Sequence, residues 1–162
     1  MSDRQHFRSQ LHALLRAEYD CAGKLEAVLV AEADALTNRD VDVLERLVGD
    51  KHSLMHAFET LEHHKQQILE QAGFAGASQD IETCLDWCDD RGQLKRGWHL
   101  LLERLAVCQQ QNRINGATLE LSRRHAQQAL SILRGQSAPV PLYNLTGAST
   151  PGNDGGRSLA KA

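Results

Sequence analysis

Proline is absent before residue 139 of this 162-residue chain; its three prolines are Pro139, Pro141 and Pro151. Nothing earlier therefore forces a helix to stop, since proline both lacks the backbone donor and clashes with the preceding turn. Aromatic residues are also scarce, at 4%, and Val and Ile are few beside Leu and Ala. Strands favour β-branched and aromatic side chains, which argues against a sandwich, barrel or doubly wound sheet. Charge of one sign is missing too. A net charge of -3 gives no broad basic face and argues against nucleic-acid binding. No apolar run approaches the roughly 20 residues that a membrane span requires. The start, Met1-Ser2-Asp3-Arg4-Gln5-His6, lacks the basic-then-apolar layout of a secretory signal, so a cytoplasmic location without membrane insertion is expected. Cys21, Cys84, Cys88 and Cys108 are too few for a disulfide scaffold and read as small buried thiols.

What the chain does have is heptad spacing. Phe7, Leu11, Leu14, Glu18, Cys21, Leu25, Val28, Glu32 and Ala35 advance in alternating steps of four and three, the spacing of a coiled-coil seam. Leu15, Leu29 and Leu36 widen it. This predicts a helix over about 4–36, then a tight connection Thr37-Asn38-Arg39-Asp40 with Asp40 as N-cap. A second helix is expected over about 41–72, where Leu44, Leu47, Val48, Leu54, Met55, Phe58, Leu61, Ile68 and Leu69 form one broad face. Gly73 is placed to end it. A short third helix opens at Ser78, carries Ile81, Leu85 and Cys88, and ends at Asp89-Asp90-Arg91-Gly92.

The fourth helix is predicted over about 93–133, its stripe running from Leu94, Trp98, Leu101, Leu105 and Cys108 through Asn112, Gly116 and Leu119 to Ala126, Leu130 and Leu133. The predicted fold is all-α: an elongated antiparallel helical bundle or coiled coil with three long helices and one short one. Residues 1–135 form the expected bundle domain. Residues 136–162 are rich in Ser, Thr, Gly, Pro and Asn, with a small apolar island at Val140-Pro141-Leu142-Tyr143-Asn144-Leu145. So little apolar surface does not offset the ordering entropy, and the segment reads as a mobile C-terminal tail.

Residues that carry chemistry do not assemble into a site. His52, His56 and His63 align on the second helix beside Glu59, but they point roughly 140° away from its apolar face and should meet water. No histidine has a glutamate three residues before it, as a dimetal bundle requires, and His-Glu-x-x-His is missing. Cys84 and Cys88 stand four apart, without the two-residue gap of a redox pair or the clustered pairs of a zinc site. Neither a nucleophile elbow nor a phosphate loop occurs. No catalytic, metal or cofactor residue is assigned. Arg123 and Arg124 suit a solvated face. Glu18, Glu32, Asn112 and Asn115 lie in or beside apolar seams, where polar residues fix helix pairing or face a groove left for another chain's helix.

The end of the chain carries a more specific signal. Gln110-Gln111-Asn112-Arg113-Ile114-Asn115-Gly116 opens helix that continues through Leu119, Leu130 and Leu133. Leu142-Tyr143-Asn144-Leu145-Thr146-Gly147 and Gly155-Gly156-Arg157-Ser158-Leu159-Ala160-Lys161-Ala162 follow. Over about 108–162 the sequence resembles FlgN, the cytosolic flagellar export chaperone of the hook–filament junction proteins, and the first helices fit that family's size and order.

The resemblance implies a non-enzymatic chaperone that binds the C-terminal helical segments of hook-associated proteins. It would prevent their premature assembly and deliver them to the flagellar type III export apparatus. Tyr143 matches the tail tyrosine that the family links to the export gate, although Asn144 to Thr146 stand where a glycine is expected soon after it; the gate and its ATPase complex are the expected export partners. Leu119, Leu130, Leu133, Leu142 and Leu145 are the expected client contacts beside Tyr143, through a helix-in-groove mode. The three helical leucines suit an intramolecular core equally well. The alternative reading is a helical adaptor or self-associating coiled-coil protein, its heptads serving homo-oligomerisation.

Overall fold

The structure, a computed structural model, describes residues 2–74 and 78–135. They form four helices: α1 (Ser2–Asn38), α2 (Val41–Gln71), α3 (Ser78–Cys88) and α4 (Gln93–Leu133). No strand occurs among the described residues, and no helix there is long and apolar enough to cross a membrane. The chain divides into two compact units, Met1–Leu119 and Glu120–Ala162. The expected tail, 136–162, lies outside the described residues.

Local chemistry sets the helix ends. The first connection is shorter than the sequence suggests, because Thr37 and Asn38 stay helical and the Thr37 hydroxyl donates back to the Ala33 carbonyl at 2.9 Å. Arg39 then turns the chain at φ 57°. Its N–H donates to the Leu36 carbonyl (3.4 Å), while the Asp40 N–H donates to that of Ala35 (3.0 Å). This pair of bonds closes a helix in the Schellman manner, and the left-handed position is normally glycine. Asp40 next caps α2, its carboxylate accepting the Val43 N–H at 3.1 Å. Helix α2 closes in the same way but with the expected residue: Gly73 sits at φ 85°, and the Phe74 N–H donates to the Leu69 carbonyl at 2.8 Å.

In the Met1–Leu119 unit, α2 runs antiparallel to α1, so that Glu18 meets Lys65 and Glu32 meets Lys51. Helix α4 runs antiparallel to α2 and therefore parallel to α1. The start of α1 meets the start of α4 (Arg8 with Gln93), and further along Leu29 meets Asn115. The predicted α1 seam is buried, including Leu11, Leu14, Cys21, Leu25, Ala35 and even Glu18 and Glu32.

The core is thickest where α3 packs as a fourth element, joining Leu11, Leu15, Ile68, Leu69, Ile81, Cys84, Leu85, Leu94 and Leu101 in one cluster. Each Leu or Ile so removed from water stabilises by about 1.5–3 kcal/mol. A helix as short as α3 depends on that burial, since its own hydrogen bonds would leave it marginal. Toward the α1–α2 turn, only three helices remain among the described residues of this unit. The core thins there to Leu25, Leu29 and Cys108. The apolar face of α2 is left partly bare, with Val48 46% and Met55 50% exposed.

Candidate partner-binding groove

The thinning of the core opens a groove between α2 and α4. One basin, of about 390 Å³, has Leu25 and Leu29 of α1 as its floor, Met55 and Phe58 on one wall, and Leu105 and Cys108 on the other. A second basin, of about 460 Å³, is lined by Leu36, Val41, Leu44, Val48, Gly116 and Leu119. Lys51 and Asn112 line both, so the basins are compartments of one groove. From Leu105 to Leu119 it follows α4 for roughly 21 Å, about four helical turns.

A polar cluster stands between the compartments. The Lys51 ammonium donates to both Glu32 carboxylate oxygens (2.8 and 3.1 Å) and to Asn112 Oδ1 (3.0 Å). The Asn115 amide donates to Glu32 Oε2 and to the Leu29 carbonyl, each at 2.8 Å, and its Oδ1 accepts from Gln111 at 2.9 Å. Thus Asn115 and Glu32 tie α4, α1 and α2 together. Asn112, and with it Lys51, also lines the groove.

A second buried pair lies deeper. Lys65 Nζ bonds Glu18 at 3.1 Å and Glu62 at 2.6 Å, and sits 5.0 Å from the centroid of the Trp98 ring. The other Glu18 oxygen has no partner among the described residues. Burial pushes the Glu18 carboxyl above its ordinary value although Lys65 pulls it down.

Of the residues expected to bind partners, Leu119 lies in the groove wall and is 56% exposed. In the second unit, Leu130 (50%) and Leu133 (82%) are exposed one turn apart on α4. None of the three is a core residue among the described residues. Leu142, Tyr143 and Leu145 lie outside the described residues. Arg123 and Arg124 lie on an exposed surface and donate to Glu120 at 2.9 Å each, holding its carboxyl down to about 2.

His52, His56 and His63 are exposed, as their direction on α2 predicted. No cluster of His, Cys, Asp and Glu among the described residues has the makings of a metal site. All four cysteines are buried and free, and burial beside Cys88 pushes the Cys84 thiol up to about 12, far from a reactive thiolate.

Sequence reasoning missed Lys51, Lys65 and the open state of Val41, Val48 and Met55. It also placed Asp89 only at the end of α3, whereas that residue is buried and organises the start of α4. Its carboxylate accepts the N–H groups of Gln93 (2.6 Å), Leu94 (2.9 Å) and Arg91 (3.2 Å), with Arg8 at 3.6 Å. Burial alone would raise its pKa, but these donors outweigh it and hold the carboxyl below its ordinary value. An acidic residue just ahead of a predicted helix start was the available signal.

No curated protein and no solved structure matches the chain. A model of the FlgN protein family matches residues 1–151, nearly the whole length. The chain therefore belongs to the FlgN family, a family of flagellar export chaperones.

Proposed function

We propose that this chaperone captures the C-terminal helical segment of a hook-associated (hook–filament junction) protein in the α2–α4 groove. The carrying observation is the groove itself: two apolar compartments joined across the Lys51–Asn112 cluster, together about four helical turns long, in a member of a chaperone family. The end of a junction subunit is an amphipathic segment that packs against its own kind once assembled. A helix laid into the groove buries that face while the subunit waits, and no bond is made or broken. Capture is stoichiometric and premature assembly is blocked. Leu119 contacts the client at the groove's end, and Leu130, Leu133, Leu142 and Leu145 are further client contacts. Tyr143 docks the loaded chaperone on the export gate and ATPase complex, which gives residues 136–162 a role separate from the helical body 1–135.

Gly116 provides a clean test. A Cβ built there meets nothing within 4 Å, so the first carbon of an added side chain is accommodated and Gly116→Leu extends into the basin that Gly116 lines. It also improves helix propensity by up to about 1 kcal/mol. In calorimetric titration of the full-length protein with a junction-protein C-terminal peptide, Gly116→Leu and Leu119→Asp should each weaken binding at least about tenfold, with the thermal midpoint preserved. Unchanged affinity in both variants refutes the groove assignment. Tyr143→Ala should leave peptide affinity intact and lower export; normal export refutes the role given to the tail.

A further inference from the structure

A second groove lies between α1 and α4 and shares no residue with the first. Leu15, Tyr19, Leu94 and Leu100 line it over a volume of about 360 Å³, with Gly97 in the α4 wall and His12 and Arg16 at the rim. It continues past His12 and Leu94 into a hollow of about 320 Å³ that Arg8 also lines. Leu100 is 54% and Tyr19 36% exposed. The Arg104 guanidinium, 4.2 Å from the Tyr19 ring centroid and bonded to Glu26 at 3.1 Å, fixes that ring in place.

Two observations say what fits there. The first is charge. Arg8, His12 and Arg16 follow at four-residue intervals on one face of α1. Neither His12 nor Arg16 has a hydrogen-bond or ion-pair partner among the described residues. The carboxylate that lines the hollow, Asp89, is buried and consumed by backbone N–H groups and Arg8. In a chain of net charge -3, this is an apolar groove whose rim carries the Arg16 guanidinium, unpaired among the described residues, with the His12 imidazole beside it. The second is Gly97. Glycine inside a helix costs up to about 1 kcal/mol against alanine. Here no intramolecular approach requires it, because a Cβ at Gly97 meets nothing within 4 Å. The notch is open toward the groove and has room for a side chain from outside.

We propose that the α1–α4 groove docks an acidic amphipathic helix of a second protein, one large apolar side chain seated over Gly97 and carboxylates facing Arg16 and His12. The surface is independent of the client groove, so one chaperone holds both partners at once. The contact follows the helix-in-groove mode, with the charges supplying specificity and rate of encounter.

The test uses the full-length protein and two fluorescent synthetic helices with the same leucine stripe. One carries glutamate beside the stripe and its twin carries lysine. By fluorescence anisotropy at low salt, the glutamate peptide should bind at least about tenfold tighter than the twin. Arg16→Glu should reverse that preference. Gly97→Leu should abolish glutamate-peptide binding with the thermal midpoint kept or raised, and Gly116→Leu, in the other groove, should leave it unchanged. Equal binding of the two peptides, or indifference to Arg16→Glu and Gly97→Leu, overturns the proposal. So does sedimentation showing a dimer that Gly97→Leu dissociates, which would assign the face to a second copy of the chain. Failure here leaves the client titration untouched, and the reverse also holds.

Discussion

Lys65→Met separates the charge of Lys65 from its bulk. The variant keeps most of the stem volume beside Trp98 but removes the ammonium that faces Glu18, whose side chain is 3% exposed against 8% for Lys65. Breaking such a pair from one side strands a buried carboxylate and costs about 3–5 kcal/mol. With a urea m-value of about 1–3 kcal/mol/M, the unfolding midpoint followed by circular dichroism should fall by roughly 1–5 M. The double variant Glu18→Leu/Lys65→Met removes both charges and should recover to within about 1 kcal/mol of the parent, or exceed it.

The pH dependence has a definite sign. Burial already holds the Glu18 pKa above its unfolded value, and losing Lys65 raises it further. The native state then binds the proton more readily than the unfolded state, so this group's contribution falls as pH rises from the unfolded pKa through the folded one. The Lys65→Met deficit should therefore shrink when the titration is repeated at mildly acidic pH. A loss below about 1 kcal/mol at neutral pH, or a deficit that grows on acidification, would refute the reasoning.

Other outcomes are equally checkable. Asp89→Ala removes the acceptor for the first N–H groups of α4 and should cost about 1–2 kcal/mol in urea melts. Because the Asp89 pKa is depressed, the parent's advantage should be full above the ordinary carboxylate range and fade as pH falls through the folded value. Arg39→Gly relieves a left-handed position at φ 57° and should raise stability by about 0.5–1 kcal/mol, visible as a higher melting temperature. The four buried thiols should resist a disulfide reagent in the native protein and all react in denaturant; rapid native labelling of Cys84 would contradict its burial.

Much of the fold was legible because helices announce themselves locally. The alternating seam of α1, Asp40 as a cap and Gly73 as a stop depend on near neighbours in sequence, and the structure has all three. The groove was not legible, because it depends on how far a neighbour extends. Val48 and Met55 continue the same apolar face as Ile68 and Leu69, and only the shortness of α3 decides which are covered. The seam glutamates were visible, but their partners were hidden among ordinary solvent-type lysines. Yet Glu18 and Glu32 stand two heptads apart, as do Lys51 and Lys65, and that matched spacing on consecutive helices was a readable clue.

The matched spacing works as a ratchet with one permitted tooth. Slide α2 along α1 by one heptad and the apolar stripes still meet, so hydrophobic burial alone barely distinguishes the alternatives. The carboxylates do distinguish them. A slip one way sets Glu18 against Phe58 and Glu32 against Leu44; the other way, they face Ala72 and Phe58. Either misalignment strands two carboxylates in apolar surroundings at once, a cost of several kcal/mol in a protein whose whole margin is about 5–15 kcal/mol. A member of an export-chaperone family thus has its own helices locked in one register, and stray pairings of its seams are rejected.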